Sequence, residues 1–507
     1  KDFTIEERVK AFMSGAQRQL LVALHEVTSG KGFREIVLDE YERIIPREAQ
    51  QLYLDICTLN RLGSGVRAGL INRISGIGFE FFQKELLLPL ENVVSAYFDR
   101  YISDYLFVAR HEHVAEIVFE NVLVNEERKY DQIVYVLAGI DPDYSSDRVA
   151  FNQMIRGNTV AEMFASQELG RKIYEVAFTK FGTEAYLYQQ AAIFEMRHSG
   201  GSLELAERYA RQATEIAPHD NSMKHTLANV ARVQAKDASK KILRDEYRKK
   251  ARKELANIRS RAGGNSYEVH LKALITLDEL GDKLAELGDS NPRSTERTVI
   301  GLMQDFEMVL SDGLQRFPGN ERLLELDARY REMIDQDERA EKALWTAFLK
   351  NPRLEWIAVR YAKFLEYRQK PDDAKDVLRK CISENPGSKL AHFQIGRLYS
   401  ERGDAEEKPL ALQHLAHGFT QGDRNYEAQF WYAREVFLSG DARSARELFV
   451  RLKRAPVSTD VRNRNRGKIK DQEGRVKIFE GKIKKKEEGY LFIENREFGQ
   501  DVFAHVS

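Results

Sequence analysis

The sequence predicts a mainly α-helical protein of several domains, with a small β module near its C-terminal end. Three prolines, Pro318, Pro352 and Pro386, recur at intervals of 34 residues, which is typical of a stacked helical repeat. Apolar residues follow a helical period over most of the chain. Runs rich in β-branched and aromatic residues occur near residues 93–108 and 481–505. The 507 residues exceed the roughly 250–300 that one core usually serves, which indicates several domains.

The composition excludes several classes of protein. A content of 42% hydrophobic and 31% charged residues is typical of amphipathic helices in water, and the lack of a long apolar run predicts no membrane partner. Cys57 and Cys381 are the only cysteines and lie in different predicted domains. This excludes a disulfide framework and a cysteine zinc site, and it favours a cytoplasmic location. Because 79 basic residues balance 79 acidic ones, net charge indicates no partner.

Residues 1–125 combine helical and strand patterns. Apolar spacing predicts helices followed by a two-stranded wing, which together predict a winged-helix domain. The predicted helices cover residues 12–26, 33–44, 47–60, 66–74 and 79–88, a turn lies at 61–65, and the wing strands cover 93–98 and 101–108. The segment in the recognition position, residues 79–85, is apolar and acidic, which disfavours contact with DNA phosphates.

The wing is followed by Ala-Arg-His-Glu-His-Val-Ala-Glu at residues 109–116. This passage resembles the winged-helix segment of STAND-type signalling NTPases, whose Met-His-Asp motif lies at this point. The resemblance implies that His111, with Arg110 beside it, is a nucleotide sensor that reaches the β-phosphate. Backbone N–H groups at a helix start also favour an anion. Here Arg110 replaces the methionine and Glu112 the acid, and capping of the helix by His111 is the alternative.

The nucleotide-binding core that such a sensor would serve has no counterpart in the sequence. The P-loop pattern G-x-x-x-x-G-K-[ST] does not occur. The resemblance therefore implies that ATP or ADP with Mg²⁺ is bound in a longer parent protein, mainly by residues upstream of Lys1. We expect no cofactor, catalytic site or metal site within this chain alone, and whether the parent is an ATP-hydrolysing enzyme stays open.

A helical bridge over residues 126–183 is predicted to lead into repeats over residues 184–455. Small residues recur twelve and five positions before prolines, where they let two helices pack closely. They are Ala206 and Ala213 before Pro218, Ala340 and Ala347 before Pro352, and Ala374 and Cys381 before Pro386. The pattern resembles the tetratricopeptide repeat, with Gly396 at the helix contact and Tyr399 in the groove. Such repeats stack into a superhelix with a recognition groove.

A basic segment interrupts the repeats. Residues 236–261 are rich in lysine and arginine, which predicts either a phosphate-facing helix or a solvated helix with pairs such as Asp245 to Lys249.

Three histidines lie on the repeats themselves. His392, His414 and His417 show no metal spacing or catalytic arrangement, so we expect them at the surface or lining the groove.

Residues 456–507 form the basic C-terminal module. Between positions 462 and 486, eleven basic residues stand against three acidic ones. The segment resembles the first three strands of a cold-shock-type OB-fold, in which aromatic side chains stack on unpaired bases and lysines hold phosphates. The resemblance implies nucleic-acid-binding roles for Tyr490, Phe492, Phe503, His505, Lys482, Lys484, Lys485 and Lys486. Leu491 replaces the usual glycine, and retention of the module only for protein contacts is the alternative.

The order of winged helix, tetratricopeptide-like repeats and OB-like module resembles the C-terminal half of a STAND defence protein, and its layout is similar to that of sterile-alpha-motif antiviral proteins. The resemblance implies antiphage sensing, in which a phage protein or nucleic acid is the trigger, single-stranded RNA or DNA binds the C-terminal module, and activation produces a homo-oligomer. The alternative is a repeat-scaffold adaptor that binds RNA or single-stranded DNA without a nucleotide switch.

Overall fold

The computed structural model describes residues 33–507 except 77, 101, 259–264, 290–292, 403–406, 421, 456, 458, 466–474, 477, 488–489, 496–499 and 506–507. The predicted helix 12–26 lies outside the described residues. The described chain forms two compact units, one ending at Asn351 and the other beginning at Pro352. Within the described residues, no helix is both long and apolar enough to cross a membrane.

The first unit begins with a helical and β segment. Its elements are α1 (Phe33–Glu42), α2 (Arg47–Asn60), β1 (Val66–Arg67), α3 (Ala68–Ser75), α4 (Phe79–Phe81) continued by a π-helical turn (Phe82–Leu86) into α5 (Leu87–Leu90), β2 (Val94–Asp99), β3 (Asp104–Ala109) and α6 (Glu112–Val122). The strands form an antiparallel sheet in the order β1-β3-β2. The predicted helices from residue 33 onward and the two wing strands are therefore present, with bounds shifted by a few residues.

Helix α2 is the centre of this segment. It contacts α6, β3 and α5, and its side chains Leu52, Ile56 and Leu59 are at most 1% exposed. Phe82 of the π-helical turn packs edge-on against Phe107 of β3, with ring centroids 5.1 Å apart. The apolar side chains that recur with a helical period in the sequence thus pack into one continuous core.

Four bridge helices follow. They are α7 (Glu126–Gly139), α8 (Ser145–Met154), α9 (Gly157–Met163) and α10 (Gln167–Phe181). Asp147 of α8 is 1% exposed and forms ion pairs with Arg67 Nε at 2.8 Å and with Arg73. A buried carboxylate needs such partners, so this pair of arginines ties the first segment to the bridge.

Helix pairs make up the rest of the first unit. They are α11 (Ala185–Arg197) with α12 (Leu203–Ile216), α13 (Asn221–Asp237) with α14 (Lys241–Ala256), α15 (Ser266–Asp289) with α16 (Arg293–Arg316), and α17 (Glu321–Met333) with α18 (Asp337–Lys350). Each first helix also contacts the first helix of the next pair. This is the packing scheme of a tetratricopeptide-like helical solenoid, and it confirms the repeat prediction.

The second unit repeats the scheme. Its pairs are α19 (Glu355–Tyr367) with α20 (Pro371–Glu384), α21 (Lys389–Arg402) with α22 (Lys408–His417), and α23 (Tyr426–Leu438) with α24 (Ala442–Arg454). A short helix α25 (Thr459–Arg464) follows, and then three strands. Across both units, Pro318, Pro352 and Pro386 each lie two residues beyond the end of a second helix, as the spacing predicts.

The predicted small residues occupy closely packed helix contacts. Ala206, Ala213, Ala340, Ala347, Ala374 and Cys381 are all 0% exposed. Gly396 of α21 faces α22, where an added Cβ would lie 2.8 Å from Leu415 Cγ and 3.0 Å from its backbone nitrogen. The prediction for Tyr399 was wrong in its placement: the side chain is 1% exposed, and its hydroxyl accepts a hydrogen bond from Arg379 Nε at 3.0 Å. It belongs to the packing between helices and not to an open groove.

We expect Gly396→Ala to destabilise the second unit by about 1–3 kcal/mol, because the new methyl group must displace Leu415 or its backbone. Gly301→Ala in α16 is the matched control, since nothing lies within 4 Å of the corresponding position and alanine favours a helix over glycine. Thermal unfolding midpoints check this. A lowered midpoint for Gly396→Ala with an unchanged or raised one for Gly301→Ala is expected, and equal midpoints would contradict the close contact.

The histidines of the second unit are placed differently from the expectation of surface or groove positions. His392 is 0% exposed. Its Nε2 donates to the Pro386 carbonyl at 3.1 Å, because a carbonyl oxygen only accepts. The Nδ1 of neutral His392 therefore accepts from Nδ1–H of His414 at 3.0 Å. The His417 ring lies 5.2 Å from that of His392 between centroids. This cluster fills helix-packing space, and among the described residues no group of three metal-ligating side chains is arranged to hold a metal ion.

We expect the second unit to lose stability as the pH falls from about 6.5 to about 4. Burial, His417 and His414 lower the pKa of His392 to about 2, and burial lowers the pKa of His414 to about 4. The unfolded chain, with histidine pKa values near ~6.5, therefore binds more protons than the folded chain across this window, and the difference opposes folding.

The measurement is the free energy of unfolding of the parent and of His392→Gln/His414→Gln as a function of pH. Each proton contributes at most about 1.4 kcal/mol per pH unit, so the double variant should show a visibly shallower slope. His219→Gln, at an exposed position, is the control and should keep the parent slope. A double variant with the parent slope would rule out these two histidines as the cause.

Candidate nucleic-acid interface

The C-terminal strands form a small antiparallel sheet. They are β4 (Lys482–Glu487), β5 (Tyr490–Asn495) and β6 (Gln500–His505), in the order β4-β5-β6. The sequence favours β5 and β6 because they carry β-branched and aromatic residues. The pairing of β4 shifts register between Ile483 and Lys485. Phe479, just before the sheet, lies 6.0 Å from Phe437 of α23 between ring centroids, which links the sheet to the last helix pair.

The predicted aromatic residues are brought to one face of the sheet. Tyr490 and Phe492 are two positions apart on β5, and their rings meet edge to face with centroids 5.8 Å apart at 86°. The register places Phe503 opposite Phe492 and His505 opposite Tyr490. Directly opposite residues of an antiparallel pair share a face, so all four predicted positions belong to the same face. Tyr490 and Phe492 are half-buried, which leaves ring surface accessible.

The predicted lysines lie on β4, which is exposed along its whole length. Lys484 Nζ forms an ion pair with Asp501 at 3.0 Å, and this hydrogen bond raises the lysine pKa. Lys485 Nζ lies 2.9 Å from Glu487. Exposed pairs of this kind contribute little to stability and are screened by salt, so both lysines can exchange their carboxylate for a phosphate.

Sequence reasoning missed the acidic neighbours of these groups. The register places Glu494 opposite Asp501 and Lys482, two positions beyond Phe492 on the aromatic face. The alternation of side chains along β5 could have revealed Glu494, because positions 490, 492 and 494 of one strand lie on the same face. The face is therefore both aromatic and of mixed charge, with its excess of positive charge on β4.

The two predicted nucleotide-sensor residues lie between β3 and α6. His111 is the N-cap of α6, and its Nδ1 accepts a hydrogen bond from the backbone N–H of His113 at 3.1 Å. Arg110 forms an ion pair with Glu40 of α1, and its Nε is buried without a hydrogen-bond partner among the described residues. Both side chains thus have structural partners, and contact with a nucleotide stays a prediction.

The capping role of His111 is directly testable. We expect His111→Ala to lower the free energy of unfolding by about 0.5–1 kcal/mol, because the N–H of His113 loses its acceptor at the helix start. His111→Asn should retain most of the stability, since asparagine is a preferred N-cap residue. Urea unfolding midpoints of the three proteins check this, and equal losses for Ala and Asn would exclude the cap as the cause.

The basic helix predicted from residues 236–261 is present as α14, and its cations face another helix. Arg252 pairs with Glu279, Arg248 with Asp282, and Lys241 with Glu286 at 3.1 Å. All three acids belong to α15. The predicted pair of Asp245 with Lys249 does not form; Asp245 instead lies 3.6 Å from Arg248. Ion pairs between helices therefore neutralise much of the positive charge that the sequence predicted to face phosphates or solvent.

Comparison with known proteins gives fold-level matches alone. No protein-family model and no curated protein sequence matches the chain. Among solved structures, it is similar to a human IFIT1 dimer with PPP-AAAA (16% identity, 67% of this chain and 79% of that chain, TM-score 0.35). It is also similar to the APC/C hetero-tetramer Cut9–Hcn1 (13%, 73% and 63%, 0.29) and to yeast Tom70 (11%, 69% and 87%, 0.30). All three are tetratricopeptide-like helical solenoids. At these identities and TM-scores no function transfers.

Proposed function

We propose that this chain is a helical-repeat adaptor that binds single-stranded nucleic acid through the aromatic face of its C-terminal sheet. The observation that supports this most is the placement of Tyr490 and Phe492 in contact on one face, with Phe503 and His505 opposite them by register. Unpaired bases stack on such rings, and each stacked base contributes about 1–3 kcal/mol. Because every base has a flat face, stacking of this kind is tolerant of sequence.

The exposed lysines of β4 supply the second part of the interface. Lys482 lies opposite Glu494 and Lys485 lies opposite Phe492, so both belong to the aromatic face. Lys486 lies opposite Leu491 on the other face, and Lys484 lies at the register shift. Lysines beside a stacking surface hold the phosphates of a single strand, and release of counterions makes the affinity fall with salt. Glu494 and Asp501 on the same face repel phosphates, so the bound strand should favour the β4 side of the sheet.

The helix pairs supply the adaptor part of the proposal. Stacked helix pairs present extended surfaces that bind other macromolecules, and the described repeats hold no metal cluster. The hypothesis of a STAND sensor requires His111 and Arg110 to reach a nucleotide, whereas the structure engages them in a cap and an ion pair. A repeat adaptor without a nucleotide switch is therefore the function that the geometry supports best.

The test is fluorescence anisotropy of labelled single-stranded RNA and DNA, both with 5′-hydroxyl ends, titrated with the full chain over a salt series. We expect Tyr490→Ala/Phe492→Ala to raise the Kd by at least about 30-fold, which corresponds to about 1 kcal/mol lost per ring. Lys482→Gln/Lys485→Gln should flatten the dependence on salt, by about 0.7 in the logarithmic slope for each phosphate contact removed.

The matched control is Phe98→Ala/Tyr105→Ala. These residues form an exposed edge-to-face pair on β2 and β3, with ring centroids 5.3 Å apart at 70°, but no lysine strand lies beside them. We expect this variant to bind like the parent. Absence of binding at low salt, or equal losses in the two aromatic variants, would overturn the proposal.

A further inference from the structure

A pocket of about 190 Å³ lies in the first unit among α13, α14, α15 and α17. It is remote in the chain from the C-terminal sheet, and no residue of the proposed interface lines it. Its charged lining consists of five cations, Arg232, Lys236, Arg244, Arg248 and Arg329, and two acids, Asp278 and Asp282. Its apolar lining includes Ile275, Leu277 and Met333.

The two acids of the pocket are already committed to arginines. Arg232 Nη1 lies 2.7 Å from Asp278, and Asp282 is shared by Arg248 and, at 3.4 Å, by Arg244. Arg248 is 5% exposed and also lies 3.6 Å from Asp245, which does not line the pocket. Three guanidinium groups therefore share the two lining carboxylates, and these partly buried ion pairs orient them before any ligand arrives.

The other two cations are less engaged. Lys236 is exposed and has no ion pair within 4.0 Å in the part of the chain that the structure describes. Arg329 reaches only Glu325, one turn away on α17 at 4.0 Å. The lining therefore has more positive charge than its carboxylates can neutralise, and Lys236 and Arg329 are available beside three arginines that are held in place.

The lowered pKa of His270 is consistent with the same excess of positive charge. This half-buried residue of α15 has a pKa lowered to about 4, first by burial and then by Arg322, His225, Arg232 and Arg329. Two of these arginines line the pocket. A histidine whose charged form is disfavoured by burial and by groups on the two helices α13 and α17 marks a region of positive potential that the local acids do not cancel.

From this cluster of cations we propose that the pocket binds a multiply charged phosphoryl group. Arginine presents a planar fork of N–H donors that matches phosphate oxygens, and lysine adds a point charge. The volume lies below the roughly 300–1,000 Å³ of pockets for drug-sized ligands. It therefore suits a phosphate, a polyphosphate or the phosphorylated end of a longer molecule, and it does not suit a whole nucleotide.

The experiment is isothermal titration calorimetry of the full chain with inorganic tripolyphosphate at two salt concentrations. We expect Lys236→Gln/Arg329→Gln to raise the Kd at least about tenfold, which is about 1.4 kcal/mol. Both side chains are at least partly exposed and hold no close ion pair, so the variant should fold, and its thermal midpoint without ligand checks this. A ligand that binds the folded state should also raise the midpoint of the parent.

The control is Lys249→Gln/Lys253→Gln, which removes the same charge from exposed positions of α14 outside the pocket. It should bind tripolyphosphate as the parent does. Absence of binding by the parent at low salt, or equal weakening in the pocket and control variants, would overturn the proposal. The Tyr490→Ala/Phe492→Ala protein should bind tripolyphosphate normally, so this test does not depend on the C-terminal interface.

Two further ligands identify the source of the phosphoryl group. A 5′-phosphorylated oligonucleotide that binds more tightly than its 5′-hydroxyl twin, with the difference lost in Lys236→Gln/Arg329→Gln, would assign the pocket to nucleic-acid ends. Equal affinities for the two oligonucleotides, with tripolyphosphate binding retained, would assign it to a free anion.

Discussion

Close approach of paired helices is the constraint on which this structure depends. It is possible only where the contacting side chains are small, and the chain places alanine, cysteine or glycine at those contacts with no measurable exposure for most of them. Gly396 shows how little space these contacts leave for a larger side chain, because a single added carbon would lie 2.8 Å from Leu415. Interiors packed to this density respond to a change of one methyl group. The spacing of the helix pairs, and with it every surface they present, follows from these positions.

Ion pairs also connect neighbouring helices. The basic helix α14 directs cations at the acids of α15, and Asp147 ties the first segment to the bridge through Arg67 and Arg73. These contacts use charge to hold helices together. The pocket differs from these ion pairs in its surplus of positive charge, because its lining contains five cations and only two carboxylates. The C-terminal sheet differs again, because its lysines are exposed and stand beside aromatic rings.

The sequence predicts the helices and strands well wherever periodicity and small residues act together. The 34-residue interval of the prolines, the buried alanines and the positions of the wing and C-terminal strands are all found in the structure. Positions that depend on contacts between distant segments could not be read from a local pattern. Tyr399 and His392 are buried because neighbouring helices cover them. The resemblance to the tetratricopeptide repeat had placed Tyr399 in the groove, and His392 was expected at the surface or lining the groove.

The candidate site shows the same division. Alternation along β5 was enough to place Tyr490 and Phe492 together, whereas the positions of Glu494 opposite Lys482 and of Asp501 opposite Glu494 follow from the register between strands. The pocket draws its cations from the consecutive helices α13 and α14 and from the distant α17. The basic run of residues 236–261 therefore contained Lys236, Arg244 and Arg248 but not Arg232 or Arg329. Arg110 and His111 match a known pattern locally, and their contact with a nucleotide stays a prediction. In the fold Arg110 pairs with Glu40, and His111 accepts a hydrogen bond from the N–H of His113.

Hydrogen–deuterium exchange of the full chain, with and without a single-stranded RNA that has a 5′-hydroxyl end, tests the central claim most directly. Nucleic acid lying across the C-terminal sheet should slow exchange in residues 482–495 and 500–505 and leave the wing strands of residues 94–109 unchanged. Slower exchange confined to the helix pairs or the wing, with the C-terminal strands unaffected, would contradict the account.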